Sequence, residues 1–213
     1  MAAAHGRLCV AAMPLPPRPA PRPLNPEIER LLFQIKVIKL DADGVLDGLD
    51  EEQFNWNPAP GQWSIAQCFD HLNVTNRFFL KNLKEAVASG RQTGRIDDGP
   101  YSYGWFSRWF FRMNEPPVKL KVKAPQRFVP APRRSREQVV PEFMALHDDV
   151  SNLLRDASGL DLVRLKCPSP VVAWIKFNLG MTFWILTAHD RRHIYQARQV
   201  HAAPGFPRRS KTG

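Results

Sequence analysis

Two histidines stand four residues apart in Ala188-His189-Asp190-Arg191-Arg192-His193-Ile194-Tyr195-Gln196, near the end of a 213-residue chain. On a helix this spacing stacks both imidazoles on one face, a turn apart. Two imidazoles so placed can grip one metal ion. Leu179, Thr182, Leu186, His189, His193, Gln196 and Val200 recur at three- and four-residue steps, the stripe that a helix turns toward a core. The histidines therefore point inward. A buried imidazole costs free energy unless each ring nitrogen has a partner. A metal is one such partner. Backbone carbonyls or water are the other, and the pattern alone leaves both open.

The rest of the chain must supply the elements that position this pair. Residues 1–24 read as a disordered Pro/Arg-rich leader, with Met13 a second candidate start. A first helix begins at Asn25-Pro26-Glu27, where Asn caps, Pro fits the first helical position and Glu suits the positive end of the dipole. Its apolar face is Ile28, Leu31, Leu32, Ile35 and Ile38, and it fades over 41–48. A turn-rich connection, 54–64, leads to Ser64 and Gln67, a capping box. The second helix is expected from Ile65 to about Ala88, closed by Ser89-Gly90. It carries His71, a third histidine on or near its core-facing surface.

Residues 91–134 show no sustained helical period. A connection of that length in a compact domain is functional or disordered more often than passive. Tyr101, Tyr103, Trp105, Phe106, Trp109, Phe110 and Phe111 suggest a short amphipathic helix or a lid, and 118–122 reads as extended. A third helix starts at Ser135, again with a Gln three residues on, and runs to 156–159. Pro141 in its interior predicts a local break or a later start. His147 lies at the edge of its apolar face. The fourth helix runs from about Asn178 to Ala202, and residues 204–213 form a basic tail. Four long helices with a long crossover between the second and third describe an all-α four-helix bundle over residues 25–203, a fold that builds metal sites from facing helices.

Charge and cysteine content bound the function classes. The net charge is +10, which invites a nucleic-acid reading. Yet nine of the basic residues crowd between Arg108 and Arg136 against the single acid Glu115, and others sit in the two tails. Charged loops and tails are solvated more often than they bind, so nucleic acid is not the expected partner. Cys9, Cys68 and Cys167 form no CxxC pair, which argues for a reducing, cytoplasmic setting. The most apolar stretch, 171–188, is interrupted by Lys176, Asn178 and Gly180, so no membrane segment is expected.

Three stretches resemble the DinB-like (YfiT/DinB_2) superfamily of metal-binding four-helix bundles. Trp63-Ser64-Ile65-Ala66-Gln67-Cys68-Phe69-Asp70-His71-Leu72 looks like the family's opening of helix two. Phe128-Val129-Pro130 looks like its linker into helix three, and His189 to Gln196 like its HxxxHxxQ on helix four. The resemblance implies a three-histidine metal site, here His71, His189 and His193. It implies a divalent ion, Zn²⁺ or Ni²⁺, which suits nitrogen donors. Zinc-bound water can have a pKa near 7, and a low-molecular-weight thiol could be held as thiolate instead. Similar proteins are thiol S-transferases or metal-dependent hydrolases acting on small molecules, and dimers occur among them. Tyr195 replaces a Gly found in some members and is expected to narrow the pocket. A non-catalytic, structural metal site is the alternative. Asp70 and Asp190 are expected at the surface or behind the ligands, and Cys68 as an inert core residue.

Overall fold

Each long helix opens where the sequence places a cap. In the computed structural model, which describes residues 23–117, 123–169, 172 and 174–208, Asn25 Oδ1 accepts from the Glu27 amide at 2.8 Å, and Pro26 is the first residue of α1 (Pro26–Leu46). A short α2 (Glu51–Asn55) follows, closed at its start by a capping box between Asp50 and Gln53. That signal is present in the sequence but was not anticipated there. Ser64 and Gln67 form the expected box ahead of α3 (Ile65–Gln92). Ser135 caps α5 (Arg136–Asp156) by accepting from the Glu137 amide, without the expected reciprocal bond from Gln138. The last helix, α6 (Leu179–His201), begins after Asn178.

Two expectations are corrected. α3 does not end at Ser89-Gly90 but continues to Gln92. Gly90 is a close-packing point, because a Cβ there would lie 2.5 Å from Leu165 Cδ1. Pro141 neither breaks α5 nor delays it. The bond it removes would have gone to the carbonyl of Glu137, in the exposed first turn, where water can serve that oxygen. The connection before α6 holds a two-stranded antiparallel ribbon, β1 (Lys166–Pro168) and β2 (Lys176–Asn178), with Cys167 opposite Phe177. Within the long crossover, α4 (Trp105–Asn114) forms, followed by a single 3-10 turn at Gln126–Phe128. The stretch 118–122, read as extended, and the leader through residue 22 lie outside the described residues.

The four long helices make the all-α bundle. α3 packs on α5 and α6, α1 packs on the same two, and α4 lies on α6. The shared core is apolar and closed, with Ile28, Leu31, Phe69, Phe143, Phe183 and Leu186 fully buried. Of the basic tail, residues 204–208 stay on the body, and 209–213 lie outside the described residues. Phe206 is buried with its ring 5.5 Å from Trp56, and Gln53 Nε2 donates to the Pro207 carbonyl. The α3–α6 contact sets the site, because it brings His71 opposite the two histidines of α6.

Candidate metal centre

His71 on α3 and His189 and His193 on α6 converge. One ring nitrogen from each lies within 4.8 Å of those of the other two. His71 Nε2 and His189 Nε2 are 3.4 Å apart. Two nitrogens bound to one tetrahedral ion at about 2.0–2.1 Å stand roughly 3.3 Å apart, so this pair already has a ligand separation. His71 and His193 are only 4 % and 8 % exposed, and His189 is half-buried.

Two of the rings are oriented by oxygen acceptors. His71 Nδ1 lies 2.7 Å from the Phe128 carbonyl. A carbonyl only accepts, so the proton sits on Nδ1 and the Nε2 lone pair faces the cluster. His193 Nδ1 lies 3.0 Å from Gln196 Oε1, one turn along the same helix, and the amide oxygen fixes the same tautomer. His189 has no such anchor, and its Nδ1 is buried without a hydrogen-bond partner among the described residues. A proton on Nδ1 would have no acceptor. A proton on Nε2 could point to His71 but would leave the Nδ1 lone pair unserved. This ring needs a partner that the described protein atoms do not supply.

Burial is the largest influence holding all three imidazoles below the ordinary histidine range, His189 and His193 well below it. The neighbouring rings and the Arg192 guanidinium push His189 and His193 the same way. At His71 the bond to Phe128 partly offsets burial. The rings are therefore neutral near pH 7, the state in which imidazole donates a lone pair to a cation. Trp63, just ahead of the α3 cap, covers the cluster from one side. Its ring centroid is 4.9 Å from that of His71 and stacks on His193 at 5.7 Å. Phe79 stands 6.3 Å from His189 on another side.

The remaining candidates from the sequence take definite places. Asp70 is buried and is no ligand. Its Oδ2 accepts from the Ala131 amide at 2.9 Å, with Arg134 Nε 3.7 Å from Oδ1. It thereby ties down the loop that presents the Phe128 carbonyl to His71, which makes it a support behind a ligand. Asp190 is fully buried and turned away from the triad. Asn76 Nδ2 donates to one oxygen at 3.0 Å, and His147 Nε2 lies 3.0 Å from the other. His147 is thus not at the edge of its helix face but at the centre of the bundle, with Nδ1 donating to the Phe143 carbonyl at 2.7 Å. This network joins α3, α5 and α6 behind the site. Cys68 is buried, and burial pushes its thiol far up. It is an inert core residue, as expected. Tyr195, expected to narrow the pocket, stands among the exposed side chains instead.

The arrangement meets what a family comparison finds. The pattern of the DinB superfamily matches residues 41–197, most of the chain. The chain belongs to the DinB superfamily. The match runs from the end of α1 into α6 and includes all three histidines of the cluster. A relative, the uncharacterized protein YuaE of Bacillus subtilis (strain 168), is 24% identical over 169 residues, which is 76% of this chain and 91% of that protein. No solved structure gives a significant match.

Sequence reasoning missed Trp63 as a site residue, although its place eight positions before His71, just ahead of the cap of the same helix, was a usable signal. It could not have found the Phe128 carbonyl, because every residue type offers one.

Proposed function

We propose that this DinB protein holds one divalent metal ion, Zn²⁺ or Ni²⁺, on His71, His189 and His193, and acts as a metal-dependent small-molecule enzyme, a thiol S-transferase or a hydrolase. The observation that carries this reading is the set of three neutral imidazoles within 4.8 Å, two with Nδ1 committed to oxygen acceptors. A divalent ion at such a site supplies Lewis-acid charge that lowers the pKa of a coordinated water or thiol. The Phe128 carbonyl and Gln196 hold the rings in register, and Trp63 and Phe79 keep bulk water off them. The donor set is uncharged and the Arg192 guanidinium lies near it, so the site favours an anionic or ionisable ligand such as a low-molecular-weight thiol.

A second reading, a structural metal site without turnover, has an observation of its own. His71 and His193 are only 4 % and 8 % exposed, and the rings of Trp63 and Phe79 stand over the cluster.

Metal content by plasma mass spectrometry, beside a His189→Ala, His193→Ala variant, tests the site. One ion per chain, lost in the variant, is the expected result. No metal in either protein after Zn²⁺ and Ni²⁺ have been supplied would end both readings. The cobalt-substituted protein then separates them. A sulfur-to-cobalt absorption band on adding a small thiol, or turnover of an ester or amide, supports the enzyme. Neither response leaves the structural reading standing.

A further inference from the structure

The helix inside the crossover is turned the wrong way for a soluble surface. Trp105, Phe106, Trp109 and Met113 are exposed on α4, the first at 74% and Trp109 at 50%. Trp105, Trp109 and Met113 follow the i, i+4, i+8 spacing of one helix face. The inner face is apolar too, since Phe110 packs 4.9 Å from Phe177 and Phe111 6.0 Å from Trp184. An outer face with this much exposed apolar surface marks an interaction site. The patch continues onto the ribbon. Phe106 stacks on Phe177 at 6.2 Å with planes 5° apart, and Trp174, in the turn before Phe177, is 82% exposed.

The exposed charged side chains of α4 and the β1–β2 ribbon are basic. Arg108 and Arg112 lie on the outer face of α4, and Lys166 and Lys176 are exposed on the ribbon. Glu115, just beyond the helix end, is engaged by Arg191. Indole rings edged by guanidinium groups match the layer where a bilayer changes from acyl chain to phosphate.

We propose that the outer face of α4 and the β1–β2 ribbon form a peripheral docking surface for an anionic lipid bilayer. Trp105, Trp109 and Trp174 enter the headgroup layer, and Arg108 and Arg112 meet lipid phosphates. The charge selects this occupant over a second copy, which would bring another +10 chain onto the same basic face. Single-stranded nucleic acid could stack on the same exposed indoles and is an outcome that the test distinguishes. The absence of a membrane partner was expected because no spanning segment was visible. No helix among the described residues is long and apolar enough to cross a membrane, but a surface contact needs none. The inference is independent of the metal site.

Sedimentation of the full chain with phosphatidylcholine vesicles, with and without phosphatidylserine, tests it. Binding is expected only with the anionic lipid and should fall with added salt. Trp105→Ala with Trp109→Ala should reduce the bound fraction about tenfold or more, and Arg108→Gln with Arg112→Gln should also reduce it. These side chains face solvent, so unchanged circular dichroism and melting would show that both variants fold. Failure to sediment overturns the proposal, as does binding that the tryptophan variant leaves intact. A dimer that the same variant splits without any vesicle binding assigns the face to a second copy. Single-stranded DNA binding lost in that variant, again without vesicle binding, assigns it to nucleic acid.

Discussion

His193 donates its Nδ1–H to Gln196 Oε1, and His71 donates its own to the carbonyl of Phe128. These two bonds decide which nitrogens are free, which is the property a metal site needs most. Partners behind metal ligands are typically worth about 10–100-fold in affinity. Gln196→Leu should therefore weaken Zn²⁺ binding by about that factor, measured by competition with a chelator, while the metal-free protein melts within a few degrees of the parent. Equal affinity in both proteins would remove Gln196 from the site. Sequence spacing made Gln196 visible as a candidate, since it lies one turn beyond His193. It did not distinguish a bond to the ring from an ordinary contact between helices, because the choice depends on side-chain rotamers.

The start of α6 is fixed by a close approach rather than by helix propensity. Gly180 sits where a Cβ would lie 2.9 Å from Tyr103 Cζ, closer still to its hydroxyl oxygen, and 3.1 Å from Leu162 Cβ. Tyr103 is not free to yield, because its hydroxyl donates to Glu27, which also accepts from Trp184 Nε1 at 2.9 Å. Gly180→Ala should cost about 1–3 kcal/mol, read from the denaturant midpoint. A change within about 0.5 kcal/mol would mean that the crossover gives way at no cost. In the sequence, Gly180 was only an interruption in an apolar stretch. Its partner is 77 positions earlier in the chain, in a loop without periodicity, so nothing local announces the contact. The caps at Asn25 and Ser64 were legible because their partners lie two or three residues away.

For the whole molecule, three neutral imidazoles, two buried and one half-buried, make stability depend on pH. In the unfolded chain histidine titrates near 6.5, whereas burial lowers all three values in the fold. Below about pH 6.5 the unfolded chain takes up protons that the folded chain refuses. The stability contributed by the neutral rings is thus fully present above that pH and is lost as the pH falls toward the depressed folded values. In chelator, the melting temperature should drop between about pH 7 and about pH 5. The drop should be shallower in His189→Ala, His193→Ala, which separates the histidines from the carboxylates that titrate lower. Identical slopes would mean that the triad is not buried in the metal-free fold.

The amino-acid sequence by itself determined the four long helices, most of their starts, the inward stripe of α6 and the three histidines that belong together by resemblance. Those features rest on interactions within four residues, or on residue types that have few other uses in that order. Tertiary structure alone decided what surrounds them. It brought the Phe128 carbonyl to a ring 57 positions away, laid Trp63 over His71 and His193, and paired Asp190 with His147 behind the site. It also turned the aromatic face of α4 outward. A helical period says that a helix has faces, but which face is covered depends on the elements packed beside it. Here α6 and the β1–β2 ribbon are engaged by one side of α4, and its other side carries the tryptophans.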